Sequence, residues 1–174
     1  MRISVAIALL LFSVFSSIAG VKLESGSLAC LAGSKRVGIT YVWDQAVYCY
    51  GGNLDDFLHR ARREANWEEV SFRDMAQEFN SETLKYGIRM VWMEHEAEAP
   101  YYFVMVVRHI DENGDIEGKM ALRCTANDNV EAVLKFSSDD ADDNDEYVFR
   151  DQFESIGEAL GKSVVKAMKK SRQQ

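Results

Sequence analysis

The chain has 174 residues, enough for one domain with a real core. Its 20 basic and 28 acidic residues leave a net charge of −8. A surface that negative repels phosphate backbones and anionic lipid, which argues against nucleic-acid binding and against adhesion to a membrane surface.

The first residues read as a cleavable export signal. Arg2 supplies a charged start, Ile3 to Ile18 an apolar run, and Ser17 and Ala19 the small residues before a cut after Ala19. The run from Ile3 to Phe15 is shorter than the roughly 20 apolar residues that span a bilayer, so residues 1–19 are expected to leave and residues 20–174 to form one domain without a membrane span, in the periplasm or cell envelope. Cys30 lies too far downstream to be acylated. Three cysteines in an oxidising compartment fit one pair with a spare. Cys30 and Cys49, which flank the first strand, are the candidate disulfide. Cys124 sits in an apolar strand and reads as an inert core thiol, as either of the others could be.

After a leader over 21–34, Arg36 to Tyr48 carries Val37, Ile39, Tyr41 and Trp43 at period two and predicts a strand. The leader alternates Val21, Leu23 and Ser25 and could add a strand that covers one sheet edge, leaving the edge at Glu131 to Lys135 for a partner. Gly51 and Gly52 end the first strand. Asn53 then caps a helix with Leu54, Phe57, Leu58, Ala61 and Ala65 on one stripe. A second helix is expected from Ser71, with Asp74 in capping position and Phe72, Met75, Ala76, Phe79 and Thr83 buried; Gly87 closes it.

Four strands follow: Ile88 to His95, Tyr101 to Ile110, Gly118 to Ala126 and Val130 to Phe136. Pro100 separates the first two, Asn113-Gly114 signals a type I′ turn, and residues 127–129 turn the last pair. Tyr101 to Val107 is apolar on both faces, the mark of a central strand. The last helix, Asp151 to Lys169, presents Phe153, Ile156, Leu160, Val164 and Met168, with Gly157 and Gly161 placed for close approach to a sheet. The expected class is α/β of α+β character: a mixed sheet of about five strands in the order strand, helix, helix, four strands, helix, with the helices packed on it.

The opening V-K-L-E-S-G-S-L-A-C-L, Val21 to Leu31, running into Lys35 to Trp43, resembles a group of small exported proteins of unassigned function from Gram-negative gut bacteria. Ala159-Leu160-Gly161-Lys162 is similar to that group's closing helix step. The element order is also similar to the N-terminal domain of TolB and to curli-secretion envelope proteins. These resemblances imply a structural likeness and bring no catalytic residues.

Chemistry must then come from individual residues. Trp92 to Glu98 offers His95 among carboxylates but lacks a second histidine and lies on a predicted strand, where His95 faces away from Glu94 and Glu96. His59 and His109 stand alone in sequence. No nucleophile elbow or phosphate loop is present. One ligand is admitted, at the acidic loop 138–146: Asp140, Asp142 and Asn144 occupy positions 1, 3 and 5 of a calcium-loop spacing with Asp151 at 12. Asp145 stands where that loop needs glycine and the closing residue is not glutamate, so a solvated loop is the plainer reading and no cofactor is expected beyond calcium. The leading expectation is a non-catalytic envelope protein that binds another envelope protein or a surface component; the alternative is a small-ligand or calcium-binding module, and an enzyme comes third.

Overall fold

The structure, a computed structural model, describes residues 20–61, 67–93, 99–139 and 149–173. The strands are β1 (Gly20–Gly26), β2 (Arg36–Val42), β3 (Val47–Tyr48), β4 (Arg89–Trp92), β5 (Tyr101–Ile110), β6 (Ile116–Cys124) and β7 (Val130–Ser137). The helices are α1 (Leu54–Ala61), α2 (Trp67–Thr83) and α3 (Arg150–Ser171). All strands join one mixed sheet in the order β1-β7-β6-β5-β2-β4, with β3 beside the far end of β5. β2 runs parallel to β4 and β5, and β5, β6, β7 and β1 form an antiparallel run. The class is α+β as expected, with seven strands rather than five.

Two additions account for the difference. The leader is indeed a strand, β1, paired with β7 from Gly20↔Ser137 to Gly26↔Ala132. The long first strand breaks after Val42, because Asp44 and Gln45 form an exposed turn before β3. Pairing with β1 also removes the free edge expected at Glu131 to Lys135: β7 lies between β1 and β6. The outer strands are β1 and β4, and β4 is partly blunted, since the Met90 N–H donates to Asn80 Oδ1 at 2.8 Å.

Local chemistry explains the helix boundaries. Asn53 Oδ1 accepts the N–H groups of Asp55 and Asp56 at 2.9 and 3.2 Å, and Asp56 Oδ2 accepts the Asn53 N–H at 2.8 Å, a reciprocal cap. Ser71 and Asp74 are not a helix start. α2 begins at Trp67, and Ser71 is buried inside it with its hydroxyl donated to the Trp67 carbonyl at 2.7 Å. Asp74 is also buried, paired with Arg73 at 3.1 Å. The Asn113-Gly114 step is no type I′ turn. Asp111 Oδ1 accepts three successive N–H groups, from Asn113, Gly114 and Asp115 at 2.8 to 3.0 Å, and this carboxylate holds a wider loop.

The helices cover one sheet face. Val37, Ile39, Phe103, Met105, Met120, Leu122, Leu134 and Phe136 bury there beneath Met75, Phe79, Phe153, Ile156, Leu160 and Val164. Gly157 and Gly161 serve a different contact from the one expected. They face α2, not the sheet: a Cβ on Gly157 would overlap the Met75 carbonyl, and one on Gly161 would lie 2.7 Å from the Glu82 Cβ. At the start of α3, Phe149 stacks on Trp43 with centroids 5.1 Å apart, and Trp67 meets Trp43 edge-on at 5.0 Å.

Candidate functional site

β5 is apolar on both faces from Tyr101 to Val107, but among the described residues the helices cover only one. On the other face Tyr102, Val104 and Val106 are half-buried and stand outside the core cluster, as do Thr40 and Val42 on β2, Ala121 on β6 and Val133 on β7. Register aligns them in rows: Val42↔Val106 and Thr40↔Val104 across β2 and β5, then Val104↔Ala121 and Ala121↔Val133. Gly38 leaves room at one corner for the Met93 side chain, which lies on it. The result is an apolar field of small, partly buried side chains, most of them β-branched.

Charge is arranged at its border. Lys22 on β1, Lys135 on β7 and Lys119 on β6 are directly opposite one another, and Lys119 in turn is opposite Val106. All three lysines are exposed. Like charges opposed across strands are destabilising, and here Glu24 offsets part of the cost through its pair with Lys119 at 2.7 Å. This is a positive row on a negative protein. At the other border Tyr102 donates to Asp128 Oδ1 at 2.6 Å and Arg123 to Asp128 Oδ2 at 2.7 Å. The Tyr102 bond, then that of Arg123, holds the Asp128 carboxyl below its ordinary range, and the same Asp128 contact raises the Tyr102 hydroxyl above its own. Its hydroxyl bond thereby ties Tyr102 to Asp128 at the edge of the field.

A second concavity lies between α2 and the outer strand β4. It is a groove of about 740 Å³ whose lining includes Phe72, Met90 and Trp92 together with Glu68, Glu69 and Arg73. Phe72 and Trp92 meet edge-on, centroids 5.3 Å apart.

The sequence-derived candidates distribute as follows. Asp140, Asp142 and Asn144 lie outside the described residues, as do His95 and its neighbouring carboxylates; Asp151 is half-buried in the first turn of α3. Among the described residues no group of three or more His, Cys, Asp or Glu converges as a metal site. His59 is on the exposed side of α1, and His109 is opposite Glu117 across β5 and β6. Cys30 and Cys49 are both free thiols, and the structure does not bring them together. Cys49 follows β3 and its N–H donates to the Ile110 carbonyl at the far end of β5. Cys30 lies at the near end, by Tyr101, about 30 Å away along the strand.

The lysine row and the uncovered apolar field were not singled out from sequence. The available signal was the double-faced apolarity of β5 together with Lys119, Lys135 and Lys22 each at an outward strand position.

No protein-family model matches the chain, and no curated protein matches it. Two solved structures that are similar are PelC dodecamers from Paraburkholderia phytofirmans. One, of a PelC variant, has a TM-score of 0.44 and 14% identity and covers 84% of this chain and 97% of that chain. The other has a TM-score of 0.41 and 14% identity, covering 85% and 95%. Neither is a TolB or curli-secretion protein.

Proposed function

We propose that the protein is a non-catalytic, exported envelope protein that binds another envelope protein or a surface component through the uncovered face of its sheet. The observation that carries this reading is β5: Val104 and Val106 point away from the helices and are only partly buried in the middle of the sheet. An antiparallel sheet that faces water normally alternates apolar-in with polar-out; β6 does so with Glu117, Lys119 and Arg123, whereas β5 carries Tyr102, Val104 and Val106 outward. The bordering Lys22, Lys135 and Lys119 favour a partner that carries negative charge beside an apolar patch.

A small-ligand module is the second reading, favoured by the α2–β4 groove, whose volume falls in the range of small-molecule sites. One experiment separates the two. The protein, a Val104→Glu variant and an Arg73→Glu variant are each used as bait in envelope extracts, with folding checked by circular dichroism. A binder retained by the parent and by Arg73→Glu but lost with Val104→Glu supports the sheet face. Retention by Val104→Glu and loss with Arg73→Glu moves the site to the groove.

A further inference from the structure

We propose that Cys30 and Cys124 are a redox pair that closes into a disulfide and fastens the segment between β1 and β2 to the end of β6. Topology places them at the same end of the sheet. After β1 the chain must cross β7, β6 and β5 to reach β2, four inter-strand steps of roughly 4.8 Å each, between Ser27 and Lys35. Ser27 is still beside β7, its N–H donated to the Glu131 carbonyl at 3.0 Å. Cys30 is three residues on, in the 3-10 turn Ala29–Leu31 that Leu28 and Leu31 bury against the core. That part of the crossing passes over the ends of β7 and β6.

Cys124 is the last residue of β6, opposite Tyr101 of β5 and on the same face as Met120 and Leu122. Its side chain therefore points toward the face over which the crossing runs. Electrostatic coupling agrees. Tyr101 feels both Cys30 and Cys124, and Cys30 feels Glu131 and Cys124. Both cysteines are half-buried thiols in this structure, whereas Cys49 is exposed at the opposite end of the sheet.

The oxidant required is a disulfide, either small-molecule or on an exchange enzyme. One cysteine thiolate attacks it, its S–S bond breaks, one thiolate departs, and a mixed disulfide forms. The second cysteine, having lost its proton, attacks the protein sulfur of that intermediate and expels the other thiolate. One S–S bond forms in the protein and one is lost in the oxidant, with two electrons transferred. Burial first, and then Glu131, push the Cys30 thiol up to about 11, so closure at neutral pH is slow and accelerates with alkalinity. A thiolate that basic is also a poor leaving group, which protects the finished bond against attack at the Cys124 sulfur.

The test is oxidation of the folded protein with oxidised glutathione at pH about 8.5, followed by thiol counting in denaturant and peptide mass mapping. The expected result is one remaining thiol, at Cys49, and a cross-linked peptide pair containing Cys30 and Cys124 that is lighter by two hydrogens. Reductant should then lower the melting midpoint of the oxidised protein by about 10 °C, as expected for a bond closing so long a loop. That shift should persist in Cys49→Ser and vanish in Cys30→Ser and Cys124→Ser. Three free thiols after oxidation, a bridge that includes Cys49, or a stable glutathione adduct without an internal bridge would each overturn the assignment.

Discussion

The backbone of Gly157 on α3 lies against the backbone of Met75 on α2, so closely that a Cβ on Gly157 would overlap the Met75 carbonyl oxygen and lie 3.0 Å from its Cα. One turn later Gly161 meets α2 less tightly, with the Glu82 side chain at 2.7 Å and the Phe79 carbonyl at 3.2 Å. Two helices approach at this distance only where one lacks side chains.

The two glycines should therefore respond differently to a methyl group. Gly157→Ala meets backbone, which cannot swing aside, and should cost about 1 to 3 kcal/mol despite a propensity gain of roughly 1 kcal/mol. Gly161→Ala meets mostly the movable Glu82 side chain and should come out milder. Urea melts of the two variants rank them. Equal stability of Gly157→Ala and the parent would show that α2 and α3 can separate freely.

Leu160 is fully buried in the α3 stripe. Leu160→Ala should cost about 2 to 5 kcal/mol. Val133→Pro should be harsher, because Val133 is paired with Ser25 on one side and Ala121 on the other, so that its N–H lies in a ladder whichever way it points. Loss of the cooperative thermal transition, rather than loss of partner binding alone, is the expected outcome for Val133→Pro.

Asp128 and Tyr102 make opposite contributions along the pH axis. The folded-state pKa of Asp128 is depressed, so its contribution is complete above the unfolded value near 4 and disappears as pH falls through the folded value. That of Tyr102 is raised, so its contribution is complete below about pH 10 and disappears as pH rises beyond the folded value. Tyr102→Phe should reduce the acid-side loss and abolish this alkaline one. Unfolding midpoints measured from pH 3 to 11 in parent and variant would show it, and superimposable profiles would refute it.

The lysine row makes a prediction in which stability and binding move in opposite directions. Lys135 lies between Lys22 and Lys119. Lys135→Gln should leave stability unchanged or raise it by about 0.2 to 1 kcal/mol through relief of repulsion, while weakening capture of the envelope binder and reducing its salt sensitivity. Unchanged binding with raised stability would show that the row has no part in recognition.

What the sequence discloses here is local. Phe153, Ile156, Leu160, Val164 and Met168 repeat every three or four residues, and all five are buried; the strand expected over Tyr101 to Ile110 matches β5, whose apolarity is continuous from Tyr101 to Val107. Errors arise where a particular side chain or a neighbouring element overrides the local pattern. The carboxylate of Asp111 outweighs the turn preference of Asn113-Gly114, and α2 rather than the sheet is what Gly157 and Gly161 approach. The apolar outer face of β5 was hidden for a related reason. Alternation reveals that Val104 and Val106 share a side of β5, but not whether any helix lies over that side.

The pairing of β1 with β7 also sets an order of events during folding. Gly20 and Ser137 are neighbours in the sheet although nearly the whole domain separates them along the chain. Closure of that separation is expected to be among the slowest contacts to form, because its loop entropy is lost before any reward arrives. Until it forms, β7 keeps an open edge containing Val133 and Leu134, and a chain caught at that stage is competent to pair with another of its kind. The first strand thus acts last, as the seal that ends the chain's exposure to self-association.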